Sequence, residues 1–311
     1  MFRQKHLIDK EIQCLLIINR QSMTNISAIL IGFRYYGGPL KLSGVVIDLY
    51  HVYKYCLSLG SRITLIVDDN QHNHSGKHSN QHIDYQNINL SINKDIVDTG
   101  IYDFVNYINN HAYKISNANE FKTTIETVLK KASKSSKLLI YYSGHGRESN
   151  ILLPDHDMIS YFTFRNLCTM YTPNTTSIMF IMDCCNINGM NLPYKLTDTQ
   201  FKLNQSGVVH FTDRNILLIT SSGDQELSMS NKYGSVFTRL LIPELMLQQK
   251  KPSTITYLID KLSEDIINAT MIKQTVSAYA SYAIPDIVPF WFLGKADVHL
   301  HLFHDLIIID C

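Results

Sequence analysis

The sequence lacks any run of roughly 20 apolar residues, so no membrane-spanning helix is expected. It also lacks an excess of either charge. Lys+Arg 28 against Asp+Glu 27 leaves a net +1, which gives no electrostatic reason to expect nucleic acid or a membrane surface as the main partner. A disulfide framework is missing too. Cys14, Cys56, Cys168, Cys184, Cys185 and Cys311 are scattered along 311 residues, and only Cys184 and Cys185 adjoin. Neighbours in sequence rarely bridge, so a reduced, cytoplasmic protein is expected. Met1 to Lys10 carries several charges, and the apolar stretch Cys14–Ile18 is short, so no signal peptide is expected.

Strand and helix signals alternate in what is present. Ser27–Gly32 and Arg62–Val67 read as buried strands, and so do the runs ending near residues 143, 183 and 220. Apolar residues at 45, 46, 49, 52, 53, 56 and 57 mark one face of a helix. Further helices are expected over 121–132, 162–170, 236–247 (interrupted near Pro243) and 254–269. Alternation of this kind predicts an α/β fold, a mostly parallel central sheet with helices on both faces. Open sheets of this class carry their sites beyond the carboxyl ends of the strands. The simplest division is an N-terminal extension over 1–25, one domain over 26–295, and a C-terminal strand or tail over 296–311. Within the domain, 70–120 reads as a polar insertion, mostly loop, and 190–214 as a mixed linker.

Two apolar runs end in reactive side chains. Leu138–Ser143 leads to Gly144-His145-Gly146, and Ser177–Met182 leads to Asp183-Cys184-Cys185. A thiol near its free pKa of about 8.5 is barely ionised at neutral pH. A neighbouring histidine can take its proton and later return one to a leaving amine. The flanking glycines let the main chain turn sharply and let a substrate approach it. The amides of Gly146 and Cys185 are candidate oxyanion donors. A lone buried cysteine is more often a small core hydrophobe than a nucleophile. The pairing of two such strand ends, about 40 residues apart, is what favours chemistry.

These motifs resemble those of the caspase-like cysteine peptidases, nearest to metacaspases and paracaspases. Tyr141-Tyr142-Ser143-Gly144-His145-Gly146 is similar to their histidine motif residue for residue, and Asp183-Cys184-Cys185 to the start of the metacaspase cysteine motif. Weaker likeness runs through Ala28–Gly32, Leu42–Asp48, Leu217–Ser222 and Tyr233–Thr238, roughly residues 25–295 in all. The resemblance implies a caspase-like three-layer sandwich. It also implies a cysteine endopeptidase with a His145/Cys185 dyad and Gly146 at the oxyanion. Cys184 is the rival nucleophile, but motif register favours Cys185, and strand alternation puts the two cysteines on opposite faces. The family's His-Ser-Gly after the cysteine is replaced by Asn186-Ile187-Asn188.

Metacaspases and paracaspases cleave after Arg or Lys. The positions matching the metacaspase basic pocket are Asp48 and Asp183, with Ser143 beside them, and paired carboxylates suit a guanidinium or ammonium. Asp183 also reads as an ordinary strand-end cap, and Asp48 as an early-helix acid favoured by the helix dipole. Arg34, just past the first strand, keeps cleavage after Asp open as an alternative. Self-processing within 190–214 is expected at Lys195 or Lys202 under a basic pocket, and at Asp198 or Asp213 under an acidic preference. Two rivals stand beside a peptidase. One is a catalytically inactive regulatory or binding domain, motivated by residues 186–188, and the other an acyl-thiol transferase or ligase. Protein or peptide substrates and no cofactor are expected. For calcium activation the nearest carboxylates are Asp155 and Asp157, in a Pro-containing turn where Asp is common anyway. The His-rich run 71–82 reads as a polar loop rather than a metal site.

Overall fold

The computed structural model describes residues 25–35, 39–69, 100–205, 209–249, 253–272 and 274–283. Residues 1–24 of the N-terminal extension (Cys14 among them), the His-rich run, Cys311 and the C-terminal tail lie outside them.

In chain order the strands begin with β1 Ile26–Gly32, β2 Arg62–Asp68, β3 Tyr113–Ile115 and β4 Lys137–Ser143. Next come β5 Gly146–Arg147, β6 Asn150–Leu152, β7 Met158–Ser160 and β8 Ser177–Asp183. The series ends with β9 Tyr194–Thr197, β10 Gln200–Leu203, β11 Ile216–Thr220, β12 Ser230–Asn231, β13 Gly234–Ser235 and β14 Ser277–Ala280. Six helices are formed among the described residues. They are α1 Val45–Ser58, α2 Gly100–His111, α3 Ala118–Ala132, α4 Tyr161–Met170, α5 Val236–Gln248 and α6 Ile255–Thr270. No helix of these residues is long and apolar enough to cross a membrane.

Nine strands make one sheet in the order β10-β9-β14-β11-β8-β4-β1-β2-β3. From β11 to β3 the pairings are parallel, and β14, β9 and β10 extend the sheet antiparallel. Every residue of β1 is buried, as expected of a strand covered on both faces. Alternate residues then feed two cores. Ala28, Leu30, Leu139, Tyr141, Met179 and Ile181 pack with the apolar faces of α1, α2, α5 and α6. Ile29, Ile31, Leu138, Ile140, Phe180 and Met182 pack with those of α3 and α4. This is the three-layer sandwich expected from the sequence.

Helix starts follow local chemistry. The side chains of Asn117, Ser160, Ser235 and Thr254 each accept a hydrogen bond from a first-turn amide. The structure differs from the sequence reading at three places. The stretch 70–120, read mostly as loop, contains α2 and β3. Phe104, Val105 and Ile108 of α2 form a short buried stripe that polar neighbours mask. Within 190–214, β9 and β10 form a hairpin that covers the β14 edge of the sheet. And α5 runs unbroken through Pro243.

Candidate active site

Strands β4 and β8 are in-register parallel neighbours whose last pair is Ser143 with Asp183. Just beyond it, the Gly144 amide donates to the Asp183 carbonyl at 3.4 Å. His145 and Cys185 therefore leave the same edge of the sheet from adjacent strands. A Cβ on Gly146 would collide with the Cys185 carbonyl and the Tyr161 hydroxyl. The close approach of the two strand extensions thus requires glycine there.

His145 is held on several sides. Its Nε2 lies 2.7 Å from the Leu40 carbonyl oxygen. A carbonyl only accepts, so Nε2 donates to it, and the tautomer this bond selects has its lone pair on Nδ1. Its backbone amide donates to the Tyr35 hydroxyl at 2.9 Å, and the Tyr35 and His145 rings lie 4.7 Å apart. The Tyr142 hydroxyl donates to the His145 carbonyl at 2.8 Å, and the two phenols sit 3.1 Å apart.

The two cysteines have different surroundings. Cys184 is 1% exposed, with its sulfur 3.3 Å from the Tyr161 hydroxyl. Its carbonyl accepts from the Ser222 hydroxyl at 2.8 Å. Burial pushes its thiol well above the ordinary range. Cys185 is only partly buried, and its sulfur accepts the Ser228 amide at 3.2 Å. Burial raises its thiol as well, the Asp183 charge adds to that, and the Ser228 amide opposes it. Beyond Cys185, Asn186 takes a left-handed φ of 57°, which asparagine tolerates, and its amide donates to the Glu226 carbonyl at 3.0 Å. Ile187 is fully buried. The sequence that replaces His-Ser-Gly therefore forms an anchored turn.

Asp48, Ser143 and Asp183 lie together beneath these strand ends. Asp48 is 0% exposed. It accepts the Ser235 amide at 2.7 Å and the Ser143 hydroxyl at 3.1 Å. Asp183 accepts the Thr238 hydroxyl at 2.6 Å and the Ser228 hydroxyl at 3.0 Å. Burial pushes the Asp48 carboxyl well up. Its nearness to Asp183 pushes it further, against the pull of the Ser235 amide, the Ser143 hydroxyl and the Arg239 charge. Burial also raises Asp183, while the Thr238, Ser235, Ser228 and Ser221 hydroxyls draw it down. Two buried carboxylates in one polar cluster resist ionising together. Gly234 closes the cluster with a φ of 100° and no room for a Cβ, which would lie 2.5 Å from Asp48 Oδ1.

The remaining residues considered from the sequence lie elsewhere. Arg34 is buried, and its amide donates to Asp68 at 3.0 Å. Burial raises the Asp68 carboxyl to about 6, against the pull of the Arg34 and Tyr35 amides and the Arg34 charge. Lys195 sits in β9 with its ammonium 5.5 Å from the Tyr279 ring centroid. Lys202 and Asp198 are exposed and 3.8 Å apart. Arg214 is buried and donates to the carbonyls of Thr169, Thr172 and Pro173. Asp155 accepts the Asp157 amide at 3.1 Å within its turn. Among the described residues no three His, Cys, Asp or Glu side chains cluster to hold a metal. Tyr35, Tyr142, Tyr161, Ser228, Ser235 and Thr238 were missed as site residues. Tyr142, Ser235 and Thr238 fall inside stretches that carried the family likeness, so a role for them was within reach.

A family model described as the caspase domain matches residues 27–283. Among solved structures, caspase-1 from Spodoptera frugiperda is similar at 13% identity with a TM-score of 0.48, over 86% of this chain and 89% of that one. No curated protein matches the sequence.

Proposed function

The chain belongs to the caspase-domain peptidase family, and from that premise we propose that it is a cysteine endopeptidase cleaving after Arg or Lys with a Cys185/His145 dyad. The observation that carries the specificity is the buried Asp48–Asp183 pair directly beneath the strand ends that bear the dyad. A guanidinium or ammonium favours ionisation of that pair; an acidic side chain adds further negative charge beside it.

In this reading Nδ1 of His145 takes the Cys185 proton, and the thiolate attacks the scissile carbonyl carbon. The tetrahedral oxyanion is met by the Gly146 and Cys185 amides. His145 then gives its proton to the leaving amine as the C–N bond breaks, leaving a thioester on Cys185. A water molecule, deprotonated by His145, attacks the thioester, and the thiolate leaves and takes the proton back. Water is the only co-reactant. For self-cleavage Lys202 is exposed and Lys195 half-buried, whereas Arg214 is withdrawn.

Turnover of fluorogenic Arg, Lys and Asp peptides by the wild type and Cys185→Ala, with and without calcium, tests the reading. Arg or Lys turnover that falls at least about 10³-fold in Cys185→Ala is expected. Equal turnover in the variant sinks the nucleophile assignment, and preference for Asp sinks the pocket assignment. No turnover by folded wild type favours the inactive regulatory domain.

A further inference from the structure

Ser228 touches both halves of the site. Its backbone amide is the hydrogen-bond donor on Cys185 Sγ, at 3.2 Å. Its hydroxyl donates to Asp183 Oδ1 at 3.0 Å and accepts from the Ser221 hydroxyl at 2.9 Å. Donor and acceptor sites on that oxygen thus both have partners, Ser221 being shared with the Cys184 carbonyl at 3.2 Å.

The main chain on either side is tied to the body of the domain. The Met229 amide donates to Gln274 Oε1 at 3.0 Å, and Gln274 Nε2 donates to the Ser221 carbonyl at 2.7 Å. The Glu226 carbonyl receives the Asn186 amide, just after the nucleophile. The Glu226 carboxylate accepts the amide and hydroxyl of Thr275, both at 2.8 Å. Between these ties, the Ser228 hydroxyl bridges Ser221 and Asp183.

We propose that Ser228 is a positioning residue that transmits the state of the Asp183 carboxylate to the Cys185 sulfur. The bond from its hydroxyl to Asp183 fixes the residue, and the amide of the same residue serves the nucleophile. The proposal rests on the reading above, in which Cys185 is the nucleophile and Asp183 lines the cation pocket. Its consequence is that a basic side chain in the pocket is felt at the sulfur without touching it. The cation draws on the same carboxylate that holds Ser228, and a main-chain shift that follows the Ser228 hydroxyl moves the amide donor relative to Sγ. A peptide with the wrong side chain leaves that link in its resting state.

A double-mutant cycle tests this, with iodoacetamide alkylation of Cys185 as the readout, located by tandem mass spectrometry on the intact folded protein. The variants are Asp183→Ala, Ser228→Ala, their combination, and Ser228→Thr, which keeps the hydroxyl. Each is checked by circular dichroism and melting, and Asp183→Asn replaces Asp183→Ala if the latter does not fold. Ser228→Ala is expected to slow Cys185 alkylation, and Ser228→Thr to restore it. The fold-change caused by Asp183→Ala should differ at least about threefold between the wild-type and Ser228→Ala backgrounds. An equal fold-change in both backgrounds overturns the proposal, because a direct charge effect of Asp183 on the sulfur is then sufficient. Iodoacetamide is uncharged and uses no pocket. Coupling without Arg-peptide cleavage supports Ser228 and sinks only the substrate reading. Additive rates with Arg-peptide cleavage intact sink only Ser228.

Discussion

Asp48→Asn separates specificity from folding, because the structure expects it to move the two in opposite directions. Asp48 is fully buried and takes one donor on each oxygen, the Ser235 amide at 2.7 Å and the Ser143 hydroxyl at 3.1 Å. Asparagine keeps the shape. Its carbonyl oxygen can still accept from Ser235, and its NH2 can face Ser143, whose hydroxyl also accepts. The fold therefore loses no hydrogen bond and sheds a buried carboxyl that repels Asp183 once both ionise. A carboxyl raised by burial contributes stability that is complete below its unfolded pKa of about 3.9 and is lost as pH rises through the folded value. Asp48→Asn should thus melt at or above wild type, with an advantage that grows as pH climbs from about 4. Activity should fall. A hydrogen bond to a charged partner contributes about 1.5–3 kcal/mol, so kcat/KM for an Arg peptide should drop by about 10- to 150-fold. A citrulline peptide, neutral and nearly isosteric, should change little. The assays are fluorogenic turnover on both peptides and a melting series from pH 4 to 8. Unchanged Arg-over-citrulline preference, or a variant that melts lower at pH 8 than at pH 4 relative to wild type, would refute the reasoning.

Three further outcomes follow from the geometry. Cys184→Ala should cost about 1–2 kcal/mol of stability in denaturant titration and leave Arg-peptide turnover within a few-fold, since that thiol is buried away from the reaction. Gly146→Ala should lower kcat at least about 100-fold with a smaller effect on KM, because its Cβ meets the Cys185 carbonyl and the Tyr161 hydroxyl; wild-type kcat in that variant argues against the close approach. Tyr35→Phe leaves the His145 amide without its acceptor, a cost of about 1–3 kcal/mol in stability. Its kcat should fall together with that loss, as steady-state kinetics beside thermal melts will show.

The strand ends were legible because they depend on local pattern. An apolar run of six or seven residues buried on both faces has to be a central strand, and the side chain just beyond it has to lie at the sheet edge. Asp48 and Asp183 were placed by likeness to a family motif, and the structure brings them into one buried cluster. Their surroundings were not legible. Ser235 and Thr238 lie in a stretch of family likeness, but Ser228 does not, and one sequence holds no signal for which donor meets which carboxylate. Tyr35 shows the same limit, lying 110 residues from the His145 amide it receives. Helix α2 was hidden for a different reason. Its buried stripe is three residues in a polar surrounding, too short for periodicity to stand out. The β9–β10 hairpin pairs with β14, a strand far later in the chain, so its half-buried residues read as linker.

The central claim is that Cys185, served by His145, is a nucleophile beside a pocket for a basic side chain. A peptidyl-arginine chloromethyl ketone tests it most directly, with the adduct located by tandem mass spectrometry. The account predicts a single adduct on Cys185. It should form much faster than with the aspartyl reagent and be nearly abolished by His145→Ala in folded protein. An adduct on Cys184, equal labelling by both reagents, or undiminished labelling of His145→Ala would contradict it.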